Sequence, residues 1–281
     1  MEEEPKVTFE APPRKIPRHY LTVCAIARDE IDLPEWIAYQ FAVGVEHVHL
    51  FDNQSIVPIA DRIPKWIQAG KVTVEKIRGR RVQMIAYTRY LRRNKSRWTA
   101  YIDIDEFIVP YAVDDLKIIL ADFEEYGGVT FTWRVFGANG HVLRPNGLVI
   151  ESYLKRGGAG FSLYPPEPPQ HKTVVQNAFA RWCPNPHFFY YRPGRFAVNA
   201  DRRKVRGRTF SPSASNLAGV NHYLCKSQED WRLKQERRGG ASGKARAEWV
   251  WKLIERKCNR VGDDAILRFL PAVKSLMEKY A

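Results

Sequence analysis

Residues 98–110 read WTAYIDIDEFIVP, and the rest of the chain is read outward from them. Tyr101, Ile102 and Ile104 favour a strand, Phe107, Ile108 and Val109 resume the apolar pattern, and Pro110 stops it. Between these lie three carboxylates, Asp103, Asp105 and Glu106. On one continuous strand, side chains two apart share a face, so Asp103 and Asp105 are predicted to point the same way. That spacing suits two oxygen ligands, or one ligand and one water-mediated contact, on a single divalent cation. Such a cation would relieve the repulsion and desolvation of two carboxylates in an apolar strand. Acids lying beyond the strand's end, in water or paired with arginines, would give the same pattern, and an Asp-x-Asp triplet alone is common.

A chain of 281 residues with 44% hydrophobic content and eight tryptophans can bury a full core, as one large domain or a domain with an elaboration. No apolar run reaches the ~18–20 residues of a membrane span, and the N-terminus has no signal-peptide apolar region. Residues 1–19 are rich in proline and charge and read as a flexible arm. The net charge of +14 favours anionic partners, namely phosphorylated ligands, nucleic acid, acidic glycans or an anionic membrane face. No zinc-finger spacing and no interleaving of glycine with aromatics supports nucleic acid beyond that charge. The four cysteines show no CxxC pair and fit a reducing cytoplasm.

Residues 20–27 (YLTVCAIA) form a continuous apolar run, as in a strand buried on both faces, and end in the polar cluster Arg28, Asp29, Glu30. A helix opened by Asp32 and Pro34 and stopped at Gly44 follows, then a strand over 45–51 with Asp52, Asn53, Gln54 and Ser55 as turn chemistry. A helix over 59–69, a strand over 71–77 and a helix over 82–95 lead to the strand at 98–109. This alternation predicts an α/β fold with a mostly parallel, doubly wound sheet, whose ligand groups collect at the strands' carboxyl ends. Three polar clusters fall there: 28–30, 52–53 and 103–106. No GxGxxG or GxxxxGK[ST] is present, so nucleotide phosphates would need a cation and basic side chains. Further on, a helix is predicted over 114–126 and strands over 128–136, 171–179, 187–198 and 219–224. The segment 157–170 reads as a loop, 227–238 as a basic helix ended by 239–243, and 245–280 as two helices around Gly262.

The ordered set of these features resembles glycosyltransferase family 92 and its bacterial relatives. It comprises Arg28-Asp29-Glu30, residues 35–39 with Gly44, residues 51–55, residues 83–87, residues 103–107, Trp133 with Phe136-Gly137, His171-Lys172, and residues 221–223. The resemblance covers roughly 20–240 and implies a GT-A fold, with a donor half at about 20–110, an acceptor half at about 111–225 and a C-terminal helical extension at 241–281. It implies transfer of a sugar, with UDP-galactose as first choice of donor, to a glycan hydroxyl with inversion. By resemblance, Asp103 and Asp105 hold Mn²⁺ (or Mg²⁺) against the donor diphosphate and His222 completes the metal site, in keeping with the ligand chemistry of these ions. Asp52 and Asn53 would meet uridine, and Arg28, Asp29 and Glu30 the base or ribose. The sequence departs from the family in having Arg28-Asp29 where Lys-Asn is usual, and in lacking the N-terminal anchor of eukaryotic members, which fits a cytoplasmic enzyme.

Each residue also has a plainer reading. His222 is a ligand or a satisfied strand histidine, Asp52 a donor contact or a turn-former, and Gln83 a donor contact or a helix N-terminal residue. Lys172 reaches a phosphate or carries exposed strand charge, and Trp133, Phe136 and Gly137 form an acceptor surface or belong to the core. Glu106, Glu151 and His141 are candidate general bases. Two alternatives stand beside a transferase: a non-catalytic domain binding glycan or nucleotide, and a basic nucleic-acid-binding protein. The basic segment 226–260 is a candidate for peripheral contact with an anionic membrane.

Overall fold

The alternation of side chains along the first strand, β1 (Leu21–Ala27), sets the architecture. Leu21, Val23, Ala25 and Ala27 enter one apolar cluster, while Cys24 enters another on the opposite face. A strand covered on both faces lies inside a sheet with helices on either side. The computed structural model describes residues 18–164, 167, 169–207, 216–237 and 247–281. The predicted N-terminal arm thus falls almost wholly outside the described residues, and the helix break at 239–243 entirely so.

After β1 come α1 (Leu33–Ala42), β2 (His47–Asp52), α2 (Ile59–Arg62), α3 (Pro64–Gln68), β3 (Val72–Lys76), α4 (Gln83–Arg93), β4 (Trp98–Tyr101) and β5 (Glu106–Pro110). Next are α5 (Leu116–Ala121), β6 (Gly128–Val135), α6 (Val149–Ser152), β7 (Lys155–Arg156), β8 (His171–Gln176), β9 (Ala180–Asn185), β10 (Phe188–Tyr191), β11 (Ala197–Val198) and β12 (Ala218–His222). The described chain closes with α7 (Gln228–Arg237), α8 (Glu248–Lys257), β13 (Val261–Gly262), a 3₁₀ turn (Ala265–Phe269) and α9 (Leu270–Tyr280). Among the described residues the main sheet has nine strands in the order β3-β2-β1-β4-β8-β6-β12-β5, with β11 beside β6. Only β8 and β5 run against the others, so the sheet is mostly parallel and the α/β expectation holds.

Four local readings are corrected. The predicted strand over 98–109 is two strands: β4 lies between β1 and β8, and β5 crosses to the far edge beside β12. Residues 102–105 form the turn between them, closed by Glu106 N–H donating to the Asp103 carbonyl at 3.0 Å. Asp103 and Asp105 are therefore presented by a turn, not by one strand face. The helix predicted over 59–69 breaks at Ile63 (φ −134°), because Pro64 disfavours helical backbone before it and restarts the helix as α3. The helix predicted over 114–126 is only α5, opened by Asp115, whose carboxylate accepts from Lys117 N–H. Finally, β9 was not predicted; it pairs antiparallel with β10 as a hairpin.

The C-terminal elements lie against the sheet domain. Tyr280 stacks on Trp66 at 4.1 Å, and Phe269 meets Tyr39 edge-on at 5.6 Å. Among the described residues no helix is long and apolar enough to cross a membrane.

Candidate active site

Topology brings the polar clusters to one edge. The carboxyl ends of parallel strands β1, β2, β4 and β12 share it, as do the amino ends of β8 and β5, which run the other way. Asp103, Asp105, Glu106, Lys172 and His222 meet there. Lys172 Nζ, 1% exposed, lies 2.9 Å from Asp103 Oδ2 and 3.0 Å from Glu106 Oε2. Gln83 Nε2 donates to Asp103 Oδ1 at 2.6 Å, from the first turn of α4. Glu106 Oε2 also accepts from Asp103 N–H at 2.9 Å, so this buried carboxyl braces the turn that carries Asp103. On the other side of the turn, His222 Nε2 stands 3.7 Å from Asp105 Oδ1, and Lys234 of α7 pairs with Asp105 Oδ2. The ring of Trp133 lies 4.2 Å from that of His222.

These partners decide the charges. Burial pushes Asp103 upward, but Lys172 outweighs it and the carboxyl sits below its ordinary range. Asp105 is likewise opposed by burial, yet Lys234 and His222 hold it well below. Both acids are therefore ionised at neutral pH, the state that a hard cation requires. Burial dominates at Glu106 and lifts it to about 8 against the pull of Lys172.

The other predicted residues sit on or behind this edge. Asp52 is 4% exposed, and its two oxygens accept from Ser55 N–H (2.9 Å) and Ile59 N–H (3.0 Å), a turn role. Asn53, oriented with its amide nitrogen toward β3, donates to the carbonyls of Ile77 and Gly79. Asp29 has φ +52° and accepts from Ile56 N–H, Glu30 accepts at its carbonyl from Arg62, and Arg28 is exposed. Phe136 is fully buried against Tyr223, and a Cβ on Gly137 would fall 2.1 Å from Asn259 Oδ1, so both are packed into the interior. Of the candidate bases besides Glu106, Glu151 accepts from Leu148 N–H and pairs with Lys274, and His141 Nε2 contacts the Ser152 carbonyl at 3.1 Å.

Sequence reasoning did not find the ion-pair network behind the site. Asp32, expected to cap α1, makes no capping bond. It accepts from Arg144 at 2.5 Å and pairs with Lys226, while Arg144 also holds Asp230 at 2.5 Å. Two cations of the 226–260 segment, Lys226 and Lys234, are thus turned inward onto carboxylates.

The sequence model of glycosyltransferase family 92 matches residues 19–142, which span β1 through the turn bearing Asp103 and Asp105 and on to β6. Over this stretch the chain is similar to glycosyltransferase family 92. A family 92 protein of Oryza sativa subsp. japonica is 22% identical over 241 residues, covering 82% of this chain and 37% of its own length. Another, from Ricinus communis, is 25% identical over 230 residues, covering 78% and 38%. The chain thus spans under two-fifths of the curated relatives it matches. Among solved structures, S. aureus TarS 1–349 in complex with UDP is similar at 15% identity and a TM-score of 0.35, covering 56% of this chain and 47% of its own. A Pyrobaculum calidifontis mannosyltransferase in complex with GDP-Man and Mn²⁺ is similar at 17% identity and a TM-score of 0.33, covering 46% and 40%.

Buried histidines give this chain a testable acid sensitivity. Burial lowers His171, beside Lys172, to about 4, and His49, inside the β2–α4 packing, also to about 4. A histidine with its folded pKa depressed stabilises the fold above its unfolded value near 6.5 and loses that contribution as pH falls toward 4. Each site can withdraw up to roughly 3 kcal/mol across that window. Urea unfolding at pH 7 and pH 4.5 is expected to show a large drop, and His171→Phe to flatten it. An unchanged slope in that variant would remove His171 from the account.

Proposed function

We propose that the chain is a metal-dependent, inverting glycosyltransferase that moves a sugar from a nucleotide-sugar donor, with UDP-galactose as first choice, to a glycan hydroxyl. The observation that carries this reading is the gathering of ionised Asp103 and Asp105 with His222 and Lys172 at the carboxyl edge of a parallel sheet, within a sequence similar to family 92.

The donor set fits Mn²⁺ or Mg²⁺: two carboxylates held in their charged form, and an imidazole 3.7 Å from one of them that favours Mn²⁺. Asp103, Asp105 and His222 would hold the cation. Among the described residues no three His, Cys, Asp or Glu side chains are grouped to hold an ion unaided, so the donor's phosphate oxygens would complete the shell. When bound, the ion supplies charge neutralisation to the departing diphosphate. Lys234 lies on Asp105 in this arrangement and has to yield part of that carboxylate or turn to the phosphates itself. Lys172, with its position fixed by Asp103 and Glu106, keeps the Asp103 carboxylate ionised and aimed. Glu106, neutral over much of the physiological range and bonded within the turn, serves as a brace. Arg28, Asp29, Glu30, Asp52 and Asn53 line the same edge on the nucleotide side, Asp52 through the shape of its turn. Trp133, tilted against His222 with ring centroids 4.2 Å apart, is the aromatic best placed to meet a sugar face near the metal. A cytoplasmic location is part of this reading.

Calorimetric titration of UDP into the protein, with Mn²⁺ and with EDTA, tests it. Cation-dependent binding of UDP in preference to CMP is expected. Absence of binding for UDP, GDP and CMP alike would sink the transferase reading in favour of a glycan-binding domain.

A further inference from the structure

The opposite end of the sheet carries a second concavity that the proposed reaction does not use. A cleft of about 860 Å³ opens between the end of α4, the start of β4, the end of β8 and the β9–β10 hairpin. Its rim bears Arg92, Lys95, Arg181 and Arg192, all exposed, and among the described residues no carboxylate lines it. None of these four forms an ion pair among the described residues, whereas elsewhere on the chain arginines and lysines are repeatedly paired, as Arg89 and Arg93 are with Glu75. The uncharged polar side chains of the lining are already committed. Asn94 donates to Thr22 and Thr99, Ser96 to Asn94, Gln176 to the Glu124 carbonyl, and Asn177 to the Ser96 carbonyl. The floor is thereby rigid, and the hydrogen-bond donors left for a ligand are charged ones.

Like charges gathered around a concavity with no counter-charge repel one another, and an anion relieves that cost while being focused by it. The cleft is at the upper end of the ~300–1,000 Å³ of small-molecule sites, larger than a lone phosphate would fill. The hairpin that supplies Arg181 and Arg192 also exposes a stacked pair, Trp182 and Tyr190, 45% and 51% exposed with ring centroids 5.0 Å apart. These rings lie outside the cleft lining, Trp182 on the strand face opposite Arg181, so the four cations alone recommend an anion there.

We infer that this cleft is a second ligand site, holding a phosphate- or carboxylate-bearing segment of a glycan chain. The choice of a glycan rests on the proposed transferase reading; the choice of an anion rests on the cleft alone. β4 and β8 place the cleft at one end and the Asp103–Lys172 pair at the other: Trp98 pairs with Gln176, and Asp103 follows β4. At about 3.3 Å per residue, β4 alone separates Trp98 from Tyr101 by roughly 10 Å, and Asp103 lies beyond its far end. The site therefore grips an acidic chain remote from the sugar being added, and selects charged polymers over neutral ones.

Fluorescence anisotropy with a labelled galacturonic acid hexamer tests this at physiological salt, with maltohexaose as the neutral comparison. The hexamer is expected to bind and maltohexaose not to. The variant Arg92→Gln/Lys95→Gln/Arg181→Gln/Arg192→Gln should bind the acidic hexamer at least tenfold more weakly. A control that removes as much charge elsewhere, Lys252→Gln/Arg256→Gln/Lys257→Gln/Lys279→Gln, should stay within twofold of the parent. Equal losses in both variants, equal binding of maltohexaose, or tighter binding of a thymidine hexanucleotide or of phosphatidylserine vesicles would each overturn the inference. The cleft variant should keep the parent's UDP affinity. Acidic-hexamer binding through the cleft in a protein that binds no nucleotide would instead remove the transferase reading and keep the anion site.

Discussion

Asp103→Asn/Asp105→Asn is expected to abolish the cation dependence of UDP binding and to lower transfer from a UDP-sugar by at least about 10³-fold, the scale of removing strong electrostatic stabilisation of a transition state. The readout that matters is the cation dependence. In the parent, the two carboxylates balance Lys172 and Lys234. Once they are neutral, Lys234 loses its carboxylate partner and Lys172 keeps only Glu106, so both can turn their charge toward a diphosphate. UDP affinity without metal can therefore persist or even rise, while turnover collapses for lack of charge neutralisation at the leaving group. Calorimetry with and without Mn²⁺, paired with initial rates, separates these effects. A variant that kept turnover within tenfold of the parent would show that neither carboxylate serves the reaction.

Much of this arrangement could be read from local sequence, and its misses share one physical origin. The apolar run at 20–27 announced a strand covered on both faces, and the regular alternation of elements announced a parallel sheet whose carboxyl ends gather polar residues; both hold. Residues 98–109 looked like one strand because β-formers flank the acids on both sides. Nothing local states that β4 belongs beside β1 while β5 belongs beside β12, since that depends on which partner each segment finds. The same limit hid the cations. Lys234 pairs with a residue 129 positions away and Lys226 with one 194 positions away, so neither ion pair has a sequence signature. The 226–260 segment was legible as basic, but not that two of its charges face inward. Asp52 shows the converse. Its turn chemistry was legible at once, and the structure spends both of its oxygens on that turn.

Lys172→Met carries the largest expected stability effect. The side chain is 1% exposed, and burial alone would lower its pKa; Asp103 and Glu106 hold the ammonium in its charged form and push the pKa up instead. Removing one partner from a buried charge cluster typically costs about 3–5 kcal/mol, because the charge left behind is neither solvated nor paired. Here Glu106, at 0% exposure, is the group left behind. Already lifted to about 8 in the parent, it rises further without the ammonium and takes up a proton, which places the cost toward the lower end of that range near neutral pH. The sign with pH follows. An acid whose folded pKa is raised destabilises the fold as pH climbs toward that pKa, and Asp103, held low by Lys172 in the parent, loses that support in the variant. The deficit of Lys172→Met relative to the parent should therefore be smallest near pH 4 and widen as pH rises. Adding Glu106→Gln removes the stranded carboxyl and should recover part of the stability without restoring the aim of Asp103, so that urea midpoints recover while UDP binding does not. A loss below about 1 kcal/mol in Lys172→Met at pH 8, the size of an exposed pair, would show that this lysine is solvated and does not hold the turn.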